Sequence, residues 1–151
     1  MEDSILYAKK YLEDLLSFFG LNTEVHATAE DEVIELSVPS THMNGFLIGQ
    51  RGDTMRSLQY MVSTALKNNG HEYCRVNVDV ADYKKARHER LAERVEEWIE
   101  DIKKTGETMQ VRPMNAADRR IVHKVAGEHG LTTTSEGEGR DRHVVISKPT
   151  E

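Results

Sequence analysis

The sequence lacks the features that mark secreted and membrane proteins. Cys74 is the only cysteine, so no disulfide can form within the chain, which fits a reducing cytosol. No apolar run approaches the roughly 20 residues that a membrane-spanning helix needs. The first residues are acidic, unlike those of a secretory signal peptide. These absences predict a cytoplasmic protein with no membrane span.

Patterns of common catalytic and metal sites are missing as well. No Lys-Ser/Thr follows Gly52, which excludes a P-loop, and the run that begins at His88 lacks the second histidine of HExxH. The histidines show no metal-ligand spacing with Cys74, and no cluster of metal-binding carboxylates stands out. We therefore expect no enzyme, no metal and no cofactor, and a nuclease is disfavoured.

The net charge of −6 argues superficially against a nucleic-acid partner, but its distribution changes that interpretation. Residues 1–40 contain nine acidic and two basic residues, a net charge of −7. Residues 41–80 have a net charge of +1, and acidic and basic residues balance in the remainder. A local basic face is therefore compatible with the acidic average, and nucleic-acid binding would depend strongly on salt.

The most informative stretch has two glycines around a polar pair, Gly49-Gln50-Arg51-Gly52. Glycine allows a backbone or a ligand to approach closely. A helix that begins just after Gly52 would point its free N–H groups at the loop and favour an anion there. Arg51 adds a forked donor suited to phosphate. The stretch indicates a clamp on a sugar-phosphate backbone, although an ordinary helix–turn–helix connection would also use these glycines.

The flanking patterns predict a helix at 3–19 with Ser4 as its cap, and strands at 23–29 and 32–38 joined at Glu30-Asp31. Helices at 41–48 and up to about 68 surround the glycine loop, and a strand follows at 72–80. This α-β-β-α-α-β order resembles the prokaryotic-type (type II) KH domain. The resemblance implies a groove for a four-nucleotide single strand. Its expected binding residues are Ile48, Gly49, Gln50, Arg51, Gly52, Thr54 and Met55.

The second half has the predicted order α-β-α-β-β. A helix at 82–105 joins the two parts, a short strand follows at 107–111, Asn115 caps a helix to about 128, and strands follow at 131–135 and 142–147. Arg119 and His123 are four residues apart and share one helix face. The pattern resembles the single-stranded nucleic-acid-binding module named for its RxxxH motif, the R-three-H domain. Expected binding residues are Arg119, Arg120, His123, Arg140 and Arg142, whereas a merely solvated helix face is the alternative.

The two modules in succession resemble the bacterial Jag (SpoIIIJ-associated) family, whose GxRGxTLxxLQYL pattern residues 49–61 match closely. We therefore expect an α+β protein with a KH domain at 1–80 and an R-three-H domain at 81–151. The resemblance implies a cytoplasmic regulator of growth or envelope assembly that binds single-stranded RNA, or single-stranded DNA, and pairs with a KH protein or itself. No role is transferred from the further N-terminal domain of many members. The alternative is an adaptor, associated with the ribosome or a membrane insertase, that uses the acidic first helix and hairpin.

Overall fold

A computed structural model describes residues 1–149 as two compact α+β units. The first unit is Met1–Lys84, and the second begins at Lys85. The predicted mixed fold class is confirmed. None of the helices in the described part of the chain is both long and apolar enough to cross a bilayer.

The first unit has the predicted element order. Its elements are α1 (Glu2–Phe18), β1 (His26–Glu30), β2 (Val33–Val38), α2 (Asn44–Ile48), α3 (Asp53–Asn68) and β3 (Arg75–Val80). A single 3-10 turn, Gln50–Gly52, separates α2 from α3. The glycine loop therefore lies between the two central helices, as the sequence predicts.

The sheet of the first unit has the order β1-β2-β3, antiparallel on one side of β2 and parallel on the other. In the register of β2 with β3, Ile34 pairs with Val76, Leu36 with Val78, and Val38 with Val80. All six side chains are buried, because a period of two turns every second residue to the same face. That face joins Leu12, Leu16, Leu47, Leu58, Val62 and Leu66 in one core.

Four details of the predicted first unit differ from the structure. The helix predicted at 41–48 begins only at Asn44. The strands are shorter than expected, since β1 begins at His26 and β3 at Arg75. The hairpin turns at Asp31 and Glu32, which both have positive φ, one residue beyond the predicted tip. Ser4 does not cap α1, because its hydroxyl is buried and lies 3.2 Å from His71 Nδ1.

The elements of the second half also follow the predicted order. They are α4 (Tyr83–Thr105), β4 (Met109–Gln110), α5 (Ala116–Glu128), β5 (Thr132–Glu136) and β6 (His143–Ser147). Their sheet has the order β4-β6-β5 and is antiparallel throughout. Buried residues of α4, α5 and β6 form a second core: Val95, Ile99, Ile102, Val122, Val125, Ala126, Val144 and Ile146.

The start of α5 is set by its cap. Asn115 has an extended backbone, and its side-chain oxygen accepts a hydrogen bond from the Asp118 N–H at 2.9 Å. The predicted cap is therefore confirmed. The cap therefore fixes where α5 begins.

Candidate nucleic-acid interface

The glycine loop of the first unit has an unusual backbone. Gly49, Arg51 and Gly52 all have positive φ, at 71°, 53° and 80°. Gln50 and Arg51 are exposed at the tip, whereas Gly52 is buried beneath it. For Arg51 the left-handed conformation costs about 1 kcal/mol or more relative to an ordinary backbone. The loop therefore presents the polar pair to solvent and turns its glycines toward the protein.

The two glycines are required by the protein's own packing. A Cβ at Gly49 would lie 2.9 Å from the backbone nitrogen of Thr54, and closer still to its hydroxyl. A Cβ at Gly52 would lie 3.3 Å from the ring of Tyr83. The sequence predicts that these glycines allow a backbone or a ligand to approach closely. In the structure, the neighbour at Gly49 is the protein's own backbone where the chain returns onto the first turn of α3, and the neighbour at Gly52 is the Tyr83 ring.

Gly49→Ala is expected to destabilise the protein by about 2–4 kcal/mol, from left-handed backbone strain and overpacking against Thr54. Urea unfolding followed by circular dichroism measures the change. Gly45→Ala is the matched control, because a Cβ there meets nothing within 4 Å and Gly45 lies inside α2. That control should be neutral or stabilising by up to about 1 kcal/mol. Equal unfolding midpoints for the two variants would contradict this account of the loop.

Arg56 ties the loop to α3. Its guanidinium donates to the Arg51 carbonyl at 3.0 Å and forms an ion pair with Asp53. Asp53, the acid beside the loop, therefore has a positive partner one turn along the helix. Both side chains are more than half exposed, so we assign the pair little stability and regard it as a local balance of charge.

The apolar and hydroxyl residues predicted beside the loop lie at different depths. Met55 is 3% exposed and belongs to the core, and Ile48 is half-buried against that core. Thr54 is half-buried where the loop enters α3. These three residues support the loop from within, and contact between Met55 and a base would require the core to open.

A groove of about 640 Å³ runs between α3 and β3. The groove is lined by Val33, Arg56, Gln59, Tyr60, Ser63, Lys67, Cys74, Arg75, Val76 and Asn77. Three of these described residues are cations, one carries an exposed aromatic ring, and none is acidic. Tyr60 is 72% exposed, which suits a platform on which a base can stack. The groove is therefore both cationic and partly apolar, as a single strand requires.

Most residues of this groove are not among those predicted from the sequence to bind RNA. Its helical side was readable, since Arg56, Gln59, Tyr60, Ser63 and Lys67 recur at the spacing of one helix face. The strand side was not readable, because Arg75 approaches α3 only through the parallel pairing of β3 with β2. Two hydrogen bonds hold the walls together, from Ser63 Oγ to the Cys74 carbonyl at 2.7 Å and from the Val78 N–H to Gln59 Oε1 at 3.1 Å.

One further cation is tied to the groove wall. Lys84 donates a hydrogen bond to Asn77 Oδ1, and Asn77 donates to Glu35 Oε2 at 2.6 Å. Burial lowers the pKa of Lys84, and the charges of Asp79 and Glu35 partly oppose that shift. Lys84 is thus occupied by the protein and orients Asn77, whose side chain lines the groove.

In the second unit, Arg119 and His123 share the predicted face of α5. Thr133 Oγ1 lies 2.6 Å from His123 Nδ1, and Ser135 Oγ lies 2.9 Å from Nε2. Thr133 and Ser135 alternate on the edge strand β5, so two hydroxyls of one strand face hold the ring from both ends. His123 is therefore positioned by β5, with both nitrogens engaged.

The arginines predicted around His123 are held to different degrees. Arg119 is half-buried and donates to the Met114 carbonyl at 2.8 Å, while the Met114 N–H donates to the Arg142 carbonyl at 3.2 Å. Arg142 also donates from its side chain to the Gly137 carbonyl at 3.0 Å. The structure thus links Arg119 and Arg142 through Met114. Arg120 and Arg140 are exposed, and neither makes a side-chain hydrogen bond or ion pair within residues 1–149.

Comparison with known proteins finds relatives along nearly the whole chain and a family model for its second half. Two RNA-binding proteins named KhpB are similar to the chain, with 31% identity over 142 residues in Clostridium symbiosum and 29% over 148 residues in Bacillus subtilis. The matches cover 93% and 96% of this chain but 64% and 71% of those proteins, so the chain spans less than two thirds of the first. Residues 88–148 match the family model of the R-three-H domain. The second half of the chain therefore carries an R-three-H domain.

Proposed function

We propose that this protein binds single-stranded RNA without catalysing a reaction, using the first unit as a KH domain and the second as an R-three-H domain. The observation that carries the proposal is the exposed Gln50-Arg51 tip beside a groove with three cations and no described acidic lining residue. This surface lies in a chain whose net charge is −6. The similarity to KhpB proteins, which are named RNA-binding, supports RNA over DNA.

At the first unit, the strand's backbone would lie across the loop and its bases in the groove. Arg51 and the N-terminus of α3 favour a phosphate at the loop. Lys67 and Arg75 would contact phosphates farther along, and Tyr60 would stack with one base. Salt would weaken such binding strongly, with a slope of about −0.7 per neutralised phosphate for a single strand.

At the second unit, Arg119 and His123 would hold another segment of the same strand. Arg119 uses one nitrogen for the Met114 carbonyl and keeps other guanidinium donors for a phosphate. Both His123 nitrogens are engaged, so its ring face is the surface offered to a base. Two weak sites on one strand raise each other's effective concentration. The Jag resemblance extends the proposal to a cytoplasmic bacterial regulator acting after transcription.

Arg119→Ala with His123→Ala is expected to weaken binding of a long single-stranded RNA about tenfold, because one phosphate contact and one base contact are lost. Fluorescence anisotropy at several salt concentrations measures the affinity and its salt slope. Lys124→Ala with His129→Ala is the matched control, at one exposed position of α5 and at the exposed residue that caps its C-terminus, and it should change affinity by less than about twofold.

His123→Ala also leaves the Thr133 and Ser135 hydroxyls without their partner, so thermal unfolding must show the variant folded at the assay temperature. A folded variant that binds as tightly as the natural protein would remove the second unit from the proposed interface. If the variant and its control lose the same affinity, the loss comes from the removed positive charge and not from contacts of Arg119 and His123.

A second candidate function is that of a protein-interaction adaptor. Phe18 is 87% exposed and Phe46 55% exposed, and the rings of Phe19 and Phe46 meet at 5.3 Å. Exposed aromatic side chains near the acidic α1 favour a protein partner, either another KH protein or a second copy of this chain. Under this function alone, single-stranded RNA would not bind even at low salt, which the anisotropy experiment measures directly.

A further inference from the structure

A second cluster of arginines lies in the second unit, apart from the R-three-H motif. Three of its members recur at i, i+3 and i+7 on α4, and the fourth precedes α5: Arg87, Arg90, Arg94 and Arg112. Together with Leu91 and Asp118 they line a cleft of about 230 Å³. Four guanidinium groups therefore share one small cleft with a single carboxylate.

Most of this positive charge has no partner. Arg87 donates to Asp118 Oδ2 at 2.7 Å, but Arg90, Arg94 and Arg112 form no ion pair within residues 1–149. Arg90 and Arg94 are also a like-charged i,i+4 pair on α4, an arrangement that destabilises a helix by a few tenths of a kcal/mol. Neither helix pairing nor salt bridges therefore explain why these arginines lie together.

Asp118 gives the cleft a fixed wall. The residue is 5% exposed, and its second oxygen, Oδ1, is buried without a hydrogen-bond partner among the described residues. A buried carboxylate oxygen of this kind is costly, and such local costs occur at functional sites. By holding Arg87, the carboxylate orients one guanidinium at the cleft before any ligand arrives.

The cleft is distinct from the R-three-H face. Asp118 and Arg119 are consecutive on α5, so their side chains leave the helix about 100° apart. Asp118 contacts Arg87, whereas Arg119 contacts Met114 and His123 contacts β5. None of the residues that line the cleft is among those assigned to the RxxxH motif.

We propose that this arginine cleft is a phosphate-binding site. Guanidinium groups bind phosphate through paired, charge-assisted hydrogen bonds, and several can share one phosphate group. A volume of about 230 Å³ is below the range of about 300–1,000 Å³ that whole ligands occupy, so the cleft suits one or two phosphate groups. The site itself does not depend on RNA binding. That its phosphate comes from RNA rests on the proposed function.

Inorganic pyrophosphate tests the site without RNA. In the full chain labelled with ¹⁵N, the arginine Nε–Hε signals of the cleft should shift saturably at low salt. Arg90→Gln with Arg94→Gln should weaken this binding at least about tenfold, while Lys103→Gln with Lys104→Gln, which removes the same charge from the same helix, should change it less than about twofold. All four positions are exposed, so both variants should fold. Shifts that do not saturate, or equal weakening in both variants, would overturn the proposal.

Two RNA oligonucleotides then identify the source of the phosphate. If Arg90→Gln with Arg94→Gln removes a preference for a 5′-phosphorylated strand over its 5′-hydroxyl form, the site takes a terminal phosphate. If it weakens both forms equally and more than the lysine control does, the site takes a phosphate within the strand. If it weakens neither, although pyrophosphate binding is lost, the site takes a free phosphate compound. Unchanged binding of both pyrophosphate and RNA would contradict any phosphate site here.

Discussion

Gln50→Asp combined with Arg51→Asp is expected to lower the affinity for single-stranded RNA on the order of 30-fold, about 2 kcal/mol. The pair forms the exposed tip of the glycine loop, and the change replaces one positive and one neutral side chain with two carboxylates. A phosphate would then meet repulsion where the present loop attracts it. Aspartate tolerates the left-handed backbone at position 51, so the loop should keep its shape.

The matched control applies the same change of charge elsewhere in the first unit. Lys10→Asp with Asn22→Asp alters two exposed positions outside the loop and groove, and should lower affinity less than about threefold. Changing the tip while leaving both glycines intact avoids the strain that a side chain at Gly52 would cause beside Tyr83. If the loop variant binds RNA as tightly as the natural protein does, the loop is not part of the interface. The proposed role of the first unit would then be wrong.

Tyr60→Ala is expected to weaken binding about 5- to 150-fold, which corresponds to about 1–3 kcal/mol for one lost base stack. The ring is 72% exposed on the groove side of α3. Its removal should therefore cost little stability, and the unfolding midpoint should stay close to that of the natural protein. Fluorescence anisotropy with a single-stranded RNA measures the affinity.

Tyr60→Phe supplies the control for that experiment. It keeps the aromatic face and removes only the hydroxyl, so affinity should change by less than about twofold if stacking is the contact. Loss of binding in both variants would mean that the hydroxyl makes the contact. Natural affinity in Tyr60→Ala would show that bases do not lie on this face of α3.

Much of the fold could be predicted because its signals are local. Apolar spacing and strand alternation predicted the element order, and the Asn115 cap predicted the start of α5. Ser4 failed as a cap because the start of α1 has no side-chain cap and the hydroxyl meets His71, which lies 67 residues away. The hairpin tip differed by one residue because the positions with positive φ depend on how β1 and β2 pair.

The burial of Met55, an expected RNA-binding residue, was readable from the sequence. Met55, Leu58, Val62 and Leu66 form the buried stripe of α3, and this spacing already placed Met55 on the core side. The neighbouring face, with Arg56, Gln59 and Tyr60, is the one that lines the groove. The glycine motif indicates the loop, but it carries no signal for the exposed face of the helix that follows.

The sequence by itself determined the order of helices and strands, the place of the glycine turn, and the common helix face of Arg119 and His123. These follow from periodicities within a few residues of the chain. Only the tertiary structure decided that Thr54 demands a glycine at position 49, that Arg75 faces α3 across a groove, and that β5 holds His123. The same is true of Arg112 and Asp118, which meet the arginines of α4. Such contacts depend on which strands pair and which helices pack together, and no local spacing in the sequence encodes them.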